Sequence, residues 1–376
     1  MKERNYGIDI LKILSMLYIL ILHINYRGGL LGHVPVGSKS YGIVLILQII
    51  CFCAVNIYAI ITGYLSYSKY DKEDYKVYDF KRLIYLWLEV VFYSILTTII
   101  LFFLGKIEVT KRLILTICLP VSSKYVWYFT AYFLLFFLMP IINLFVKNSS
   151  KKTLISVLIP IIIFFSFYQS FMNEYMSDFT FINRGYSVWW LMILFYIGAV
   201  IKKLDLGKNI KTKKLIILLF IIYIVAYVWN FFIPILALKH ENLGYFSKFL
   251  YEYISPTNLF AAIIYVLLFT RIKIKSKVLK KYLPILSIAT FGVYVMHLHP
   301  YIYHTMLKDA FTFILDYNIF LEPFIVILIA LGFLTIMLII DIIRSKLFKF
   351  IRIDKLCLWL DKLINNKLDS LVGRIG

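Results

Sequence analysis

The chain has 376 residues, of which 62% are hydrophobic and only 16% charged, against roughly 45–50% and 25% in ordinary soluble domains. With a mean hydropathy of +0.84, a soluble globule could not bury this apolar surface, and a disordered or nucleic-acid-binding chain would lack the aliphatic residues. The net charge of +21, from 41 Lys and Arg against 20 Asp and Glu, therefore reads as topology, with no nucleic acid among the expected partners.

Apolar runs near the roughly 20 residues that cross a hydrocarbon core recur at 8–27, 41–67, 83–104, 126–146, 153–171, 187–201, 215–238, 253–270, 285–306 and 322–343. The expected fold is all-α: a polytopic integral membrane helix bundle of about ten transmembrane helices. The run 113–120 is too short to span and reads as an interfacial or re-entrant piece. Thirty of the 41 basic residues fall on one side of this layout, ten on the other, and Lys12 inside the first span. The positive-inside rule then puts both termini in the cytoplasm and the chain, multi-pass, in the cell (inner, cytoplasmic) membrane. Residues 1–343 form the transmembrane domain and 344–376 a cytoplasmic tail. In that tail Phe350, Ile353, Cys357, Leu360 and Ile364 recur every three or four residues between basic ones, the pattern of an amphipathic helix on an anionic leaflet.

Asp9 and Lys12 interrupt the first span, so it is not a cleaved signal peptide. Cys51, Cys53, Cys118 and Cys357 have no metal-ligand spacing, and no metal site is expected. No soluble catalytic domain flanks the bundle, so any chemistry belongs to the membrane helices themselves.

Ionisable groups at membrane depth cost on the order of 2.5–3.5 kcal/mol each on insertion scales. Lys12 and His23 lie eleven residues apart, three helical turns plus about 20°, on one face and separated by a rise of about 16 Å. Lys12 alone could snorkel to the headgroups beside Asp9, and His23 alone could be a packing histidine. Together they suit a cation holding an anionic carrier and a neutral imidazole taking a proton from an acceptor hydroxyl. Asn56 lies mid-span as an orienting group or interhelical glue. Glu89 calls for a nearby cation or a cavity. Trp127 and Tyr128 sit at an outer interface, the place of belt aromatics. Glu174 and Asp178 fall in an outer loop.

The first span resembles the opening of the membrane acyltransferase 3 family, whose signature is Arg or Lys, ten residues, then His. Four further segments agree in order. AVNIYAIITGYL (54–65) is similar to the end of the family's second span, with Thr62, Gly63 and Tyr64 where Ser-Gly-Tyr is common. DFKRLIYLW (79–87) resembles the basic start of its third span, and VWYFTAYFLLFFLMPII (126–142) its aromatic segment followed by Pro. SIATFGVYVMHLHP (287–300) is similar to its late Ser-Phe-Gly-Ile-Tyr-Leu-Ile-His element, placing Gly292, Tyr294 and His297 on the motif. The resemblance covers about residues 1–345. Two departures stand out: Lys12 replaces the commoner Arg, and Tyr85 stands where a second Arg often follows Arg82.

The resemblance implies an enzyme, an acetyl-CoA-dependent O-acetyltransferase. It would move an acyl group from cytoplasmic acyl-CoA, a co-substrate and not a bound cofactor, to a hydroxyl of an envelope glycan or lipid-linked glycan. On that reading His23 is catalytic, either as general base or as covalent carrier. Lys12, Lys81 and Arg82 bind acyl-CoA. Asn56, Trp127, Tyr128, Tyr294 and His297 support the acceptor side, whereas His299 and His304 are structural. The acceptor and the identity of the acyl group stay open. A glycan polymerase or flippase, or a non-enzymatic transporter, remains the competing class.

Overall fold

Several of the long apolar helices begin where a short polar side chain satisfies one of the first free amides. Asn5 accepts the Ile8 N–H at 3.3 Å, Ser38 that of Tyr41 at 3.1 Å and Asp79 that of Arg82 at 3.2 Å. Ser150, Ser187 and Ser276 do the same farther along. The computed structural model describes residues 4–70, 77–123, 125–172 and 180–375; Glu174 and Asp178 lie outside them.

The helices are α1 (Tyr6–Tyr26), α2 (Leu30–His33), α3 (Lys39–Cys51), α4 (Ala54–Tyr70), α5 (Phe80–Phe103), α6 (Lys111–Cys118), α7 (Pro120–Ser123), α8 (Trp127–Asn148), α9 (Lys151–Ile162), α10 (Gln169–Met172), α11 (Val188–Leu204), α12 (Thr212–Ala237), α13 (Pro256–Phe269), α14 (Lys277–His297), α15 (Glu322–Phe350) and α16 (Ile353–Ile375). Among the described residues there is no strand, and the protein is a multi-pass helical membrane bundle.

Among the described residues, eight helical segments are long and apolar enough to cross a membrane. The other two expected spans, 187–201 and 253–270, fall on α11 with 17 residues and α13 with 14. At 1.5 Å per residue α13 is about 21 Å long, less than the hydrocarbon thickness. Most residues of both are buried inside the bundle, so their partners are chiefly other helices, and for α13 hydropathy alone overstates the length. The expected interfacial piece at 113–120 coincides with the short α6.

Close approach of α4 and α11 rests on two glycines. A Cβ on Gly63 would lie 1.9 Å from the Phe195 carbonyl oxygen, and one on Gly198 would lie 2.0 Å from that of Ile60. Small residues let backbones meet where lipid supplies no hydrophobic drive between helices. α1 runs through the middle of the bundle, packed against α3, α4, α13, α14 and α15.

A buried ionic knot ties α5 to α15. The Arg344 guanidinium contacts both oxygens of Asp341 at 2.9 and 3.0 Å, Glu89 at 3.1 Å and the Tyr85 hydroxyl at 2.9 Å. Tyr93 donates to Asp341 at 2.7 Å. The cation Glu89 calls for is thus Arg344, and Tyr85, at the family's second-arginine position, binds that arginine. α15 continues to Phe350, so Arg344 belongs to a buried helical turn.

The tail departs from its expected pattern at one point. Arg352 adopts φ +61°, which ends α15 and leaves Phe350 84% exposed, off the face that the later residues share. α16 lays Cys357 and Asp361 onto the start of α5, where Asp361 accepts the Lys81 N–H at 3.2 Å.

Candidate active site

α1 and α14 lie side by side, and each carries a histidine near its last turn. Nδ1 of His297 is 2.7 Å from the Val293 carbonyl oxygen, and its Nε2 is 2.9 Å from Nδ1 of His23. A carbonyl oxygen only accepts, so the proton of a neutral His297 sits on Nδ1 and its Nε2 carries a lone pair. His23 must then donate from Nδ1. That leaves His23 Nε2 bare, the state a general base requires. One backbone carbonyl therefore fixes the tautomers of two rings in series.

His23 lines a cavity of about 320 Å³ whose wall is chiefly aromatic. Tyr58, Trp127, Tyr128, Tyr186, Tyr253, Tyr294 and Tyr303 face it, with Met16 and Thr290. Tyr303 meets the His23 ring edge-on at 5.1 Å. Trp127 stacks on Tyr253 at 6.0 Å and tilts against Tyr186 at 4.7 Å. Tyr294 contributes its ring to the wall and its hydroxyl to the Tyr128 N–H at 3.2 Å. This is the size and character of a small-molecule site: largely apolar, with a few convergent polar atoms.

The lip of the cavity farthest from Lys12 is held by the end of α1. Arg27, just past its end, donates to the carbonyls of Tyr303 at 2.8 Å and His304 at 2.6 Å. Those residues lie in a π-helical turn, Ile302–Met306. His304, expected to be structural, thus also lines the cavity. His299 is buried with Nε2 3.1 Å from the Thr98 hydroxyl, away from the lining.

Lys12 lies on the His23 face of α1, three turns earlier and outside the cavity lining. Its neighbours in electrostatic range are Arg4, Lys69, Arg82 and Asp9. The Asp9 carboxylate is held instead by Arg4, at 2.7 and 2.9 Å, and by Ser287 at 2.6 Å. An excess of positive charge therefore gathers at this end of the helix. Arg82 is exposed and belongs to that group, whereas Lys81 is turned towards the tail, where its amide meets Asp361 and its charge acts on Cys357.

A family model described as an acyltransferase domain matches residues 5–344. The chain belongs to the acyltransferase 3 family. No curated protein and no solved structure matches it. As a membrane acyltransferase, the protein needs one group to accept a proton and a space in which donor and acceptor meet. Among the described residues, the histidine pair offers a bare imidazole nitrogen and the aromatic cavity beside it offers such a space.

The remaining positions of the family motifs do structural work around that centre. Asn56 donates to the Tyr253 carbonyl at 2.7 Å and accepts from Trp190 Nε1 at 3.0 Å, so it positions a wall residue without facing the cavity. Gly292 makes room for Asp341, whose Oδ1 would lie 2.0 Å from a Cβ there. Tyr64 lies under Lys202, whose Nζ is 4.8 Å from the ring centroid.

Sequence reasoning missed Tyr58, Tyr186, Tyr253 and Tyr303. Among 30 tyrosines, their residue type carries no positional signal, and only the fold selects the few that surround His23.

Proposed function

We propose that this protein is an O-acyltransferase of the inner (cytoplasmic) membrane, moving a short acyl group, acetyl in the simplest case, from acyl-CoA to a hydroxyl of a cell-envelope glycan. The observation that carries this reading is that His23, tautomer-fixed by His297 behind it, lines the cavity on the helix whose other end carries Lys12. CoA is a phosphate-rich carrier with a long thin arm. The cations around Lys12 and Arg82 attract its phosphates, and a lysine does so as a point charge without a bidentate fork. The aromatic wall suits a sugar, whose apolar ring faces stack on Trp and Tyr while its hydroxyls stay polar.

In the transfer step His23 Nε2 takes the proton of the acceptor hydroxyl as that oxygen attacks the thioester carbonyl. The carbonyl carbon becomes tetrahedral, the C–S bond breaks, and the departing thiolate recovers the proton from His23. His297 holds the His23 ring and accepts its Nδ1–H while positive charge develops.

Purified protein in lipid nanodiscs, given radiolabelled acetyl-CoA and envelope glycan, tests this. Label moves to glycan with the native protein and not with His23→Ala. A correctly inserted His23→Ala variant that transfers label at the native rate overturns the assignment.

A further inference from the structure

Between the cations near Lys12 and the histidine cavity stands one phenol. Tyr58 of α4 lines the cavity, and its hydroxyl donates to the Lys12 backbone carbonyl across the gap to α1 at 2.6 Å. Met16, one turn beyond Lys12 on the same face, also lines the cavity, whereas Lys12, Ser15 and Arg82 do not. The cavity therefore stops at Tyr58 and Met16, short of the charges proposed to hold the donor.

We propose that Tyr58 is the barrier between the donor-phosphate site and the His23 cavity, a positioning residue whose phenol leaves the Lys12 carbonyl before a thioester arm reaches the base. The inference rests on the acyl-CoA reading above. The bond is suited to opening. Lys12 lies inside α1, so its carbonyl also accepts the helical N–H four residues on and keeps a partner when the phenol swings away. The phenol also meets the Thr290 hydroxyl, and neutral hydrogen bonds of this kind are weak enough to break readily, yet directional enough to re-form.

The barrier has a chemical purpose. A thioester that met His23 in the absence of an acceptor would be hydrolysed. Water would attack its carbonyl and pass a proton to His23 Nε2, the C–S bond would break, and the thiolate would recover that proton, leaving free acid and free CoA thiol. A closed Tyr58 keeps the reactive bond and the base apart until both substrates are bound.

Two measurements separate this proposal from the reading it rests on. The first uses Met16→Cys in a chain whose four native cysteines are replaced by serine, in sealed vesicles with the lysine-rich face outward. An impermeant thiosulfonate added outside labels Cys at this position at least 10-fold faster with Tyr58→Ala than with Tyr58, and Tyr58→Phe falls between. Equal rates in all three overturn the barrier, whatever the donor is. Tyr58→Phe keeps the ring, and so carries the test if Tyr58→Ala does not fold.

The second measurement follows thiol release from acetyl-CoA without acceptor. Release rises several-fold in Tyr58→Phe and Tyr58→Ala and disappears when His23→Ala is added. Faster labelling without His23-dependent release upholds the barrier and overturns acyl-CoA as donor.

Discussion

Replacing His297 by alanine probes how much of the proposed catalysis depends on the second histidine. The substitution removes the acceptor 2.9 Å from His23 Nδ1 and leaves His23, Tyr303 and the cavity wall in place. A half-buried N–H left without a partner costs about 1–3 kcal/mol, and the His23 ring is no longer confined to the tautomer with a bare Nε2. A loss of about 1.4–2.7 kcal/mol in the transition state corresponds to a fall of roughly 10- to 100-fold in kcat. KM for the donor changes by less than about 2-fold, because the cations lie some three turns away on α1. His297→Gln offers a carbonyl oxygen to the same N–H and recovers part of the loss. The assay is initial-rate transfer from labelled acetyl-CoA in nanodiscs, with His23→Ala as the floor. Native kcat in His297→Ala, alongside an inactive His23→Ala, refutes the tautomer argument.

Other perturbations test the frame. Gly63→Ala drives a methyl into the Phe195 carbonyl and lowers stability by about 3 kcal/mol or more, the upper range for overpacking. Gly332→Ala, with nothing within 4 Å of its Cβ, is neutral or slightly stabilising; thermal unfolding in detergent reads both. Arg344→Met strands Asp341 and Glu89 without their cation and costs about 3–5 kcal/mol. Arg344→Lys restores only part, because one ammonium cannot reach both carboxylates and Tyr85 together. Burial, with Asp354 nearby, raises the Cys357 thiol above its ordinary pKa against a smaller opposing effect of Lys81. Its maleimide labelling is therefore slower at pH 8 than that of an ordinary cysteine and accelerates as pH rises. Asp361→Ala, which loosens α16 from α5, speeds that labelling about 10-fold if one hydrogen bond's worth of docking is lost; an unchanged rate argues against a docked tail.

Much of the frame was legible because the apolar runs are long, and several begin at short polar residues such as Asn5, Ser38 and Asp79 that cap a helix start. α13 escaped a correct length, 14 residues where 253–270 was expected, because burial among helices and burial in lipid leave the same hydropathy. Lys12 and His23 were readable as a pair, since helical phase is fixed by residue count. Their partners were not. Asp9 sits one turn from Lys12 in sequence, yet Arg4 and Ser287 claim it, a choice that depends on where α14 packs. Arg344 looked like the first basic residue of the tail because its two acidic partners, Asp341 and Glu89, are divided between helices 252 residues apart in order of numbering. His297 came from the resemblance, and its contact with His23 came only from the fold.

One property of α1 reaches beyond the individual residues it carries. Lys12, Met16 and His23 lie within about 40° of one another around a single helix, so their spacings along it cannot change independently. The helix acts as a ruler. On the proposed acyl-CoA reading it sets the distance from the charge for a carrier's phosphates to the base for its reactive end, about 16 Å of rise. A carrier with a shorter arm would be held with its acyl group out of reach, however well its charges fitted. Inserting one residue between Lys12 and His23 would turn the base about 100° out of line, whereas inserting a whole turn would keep the line and lengthen the measure.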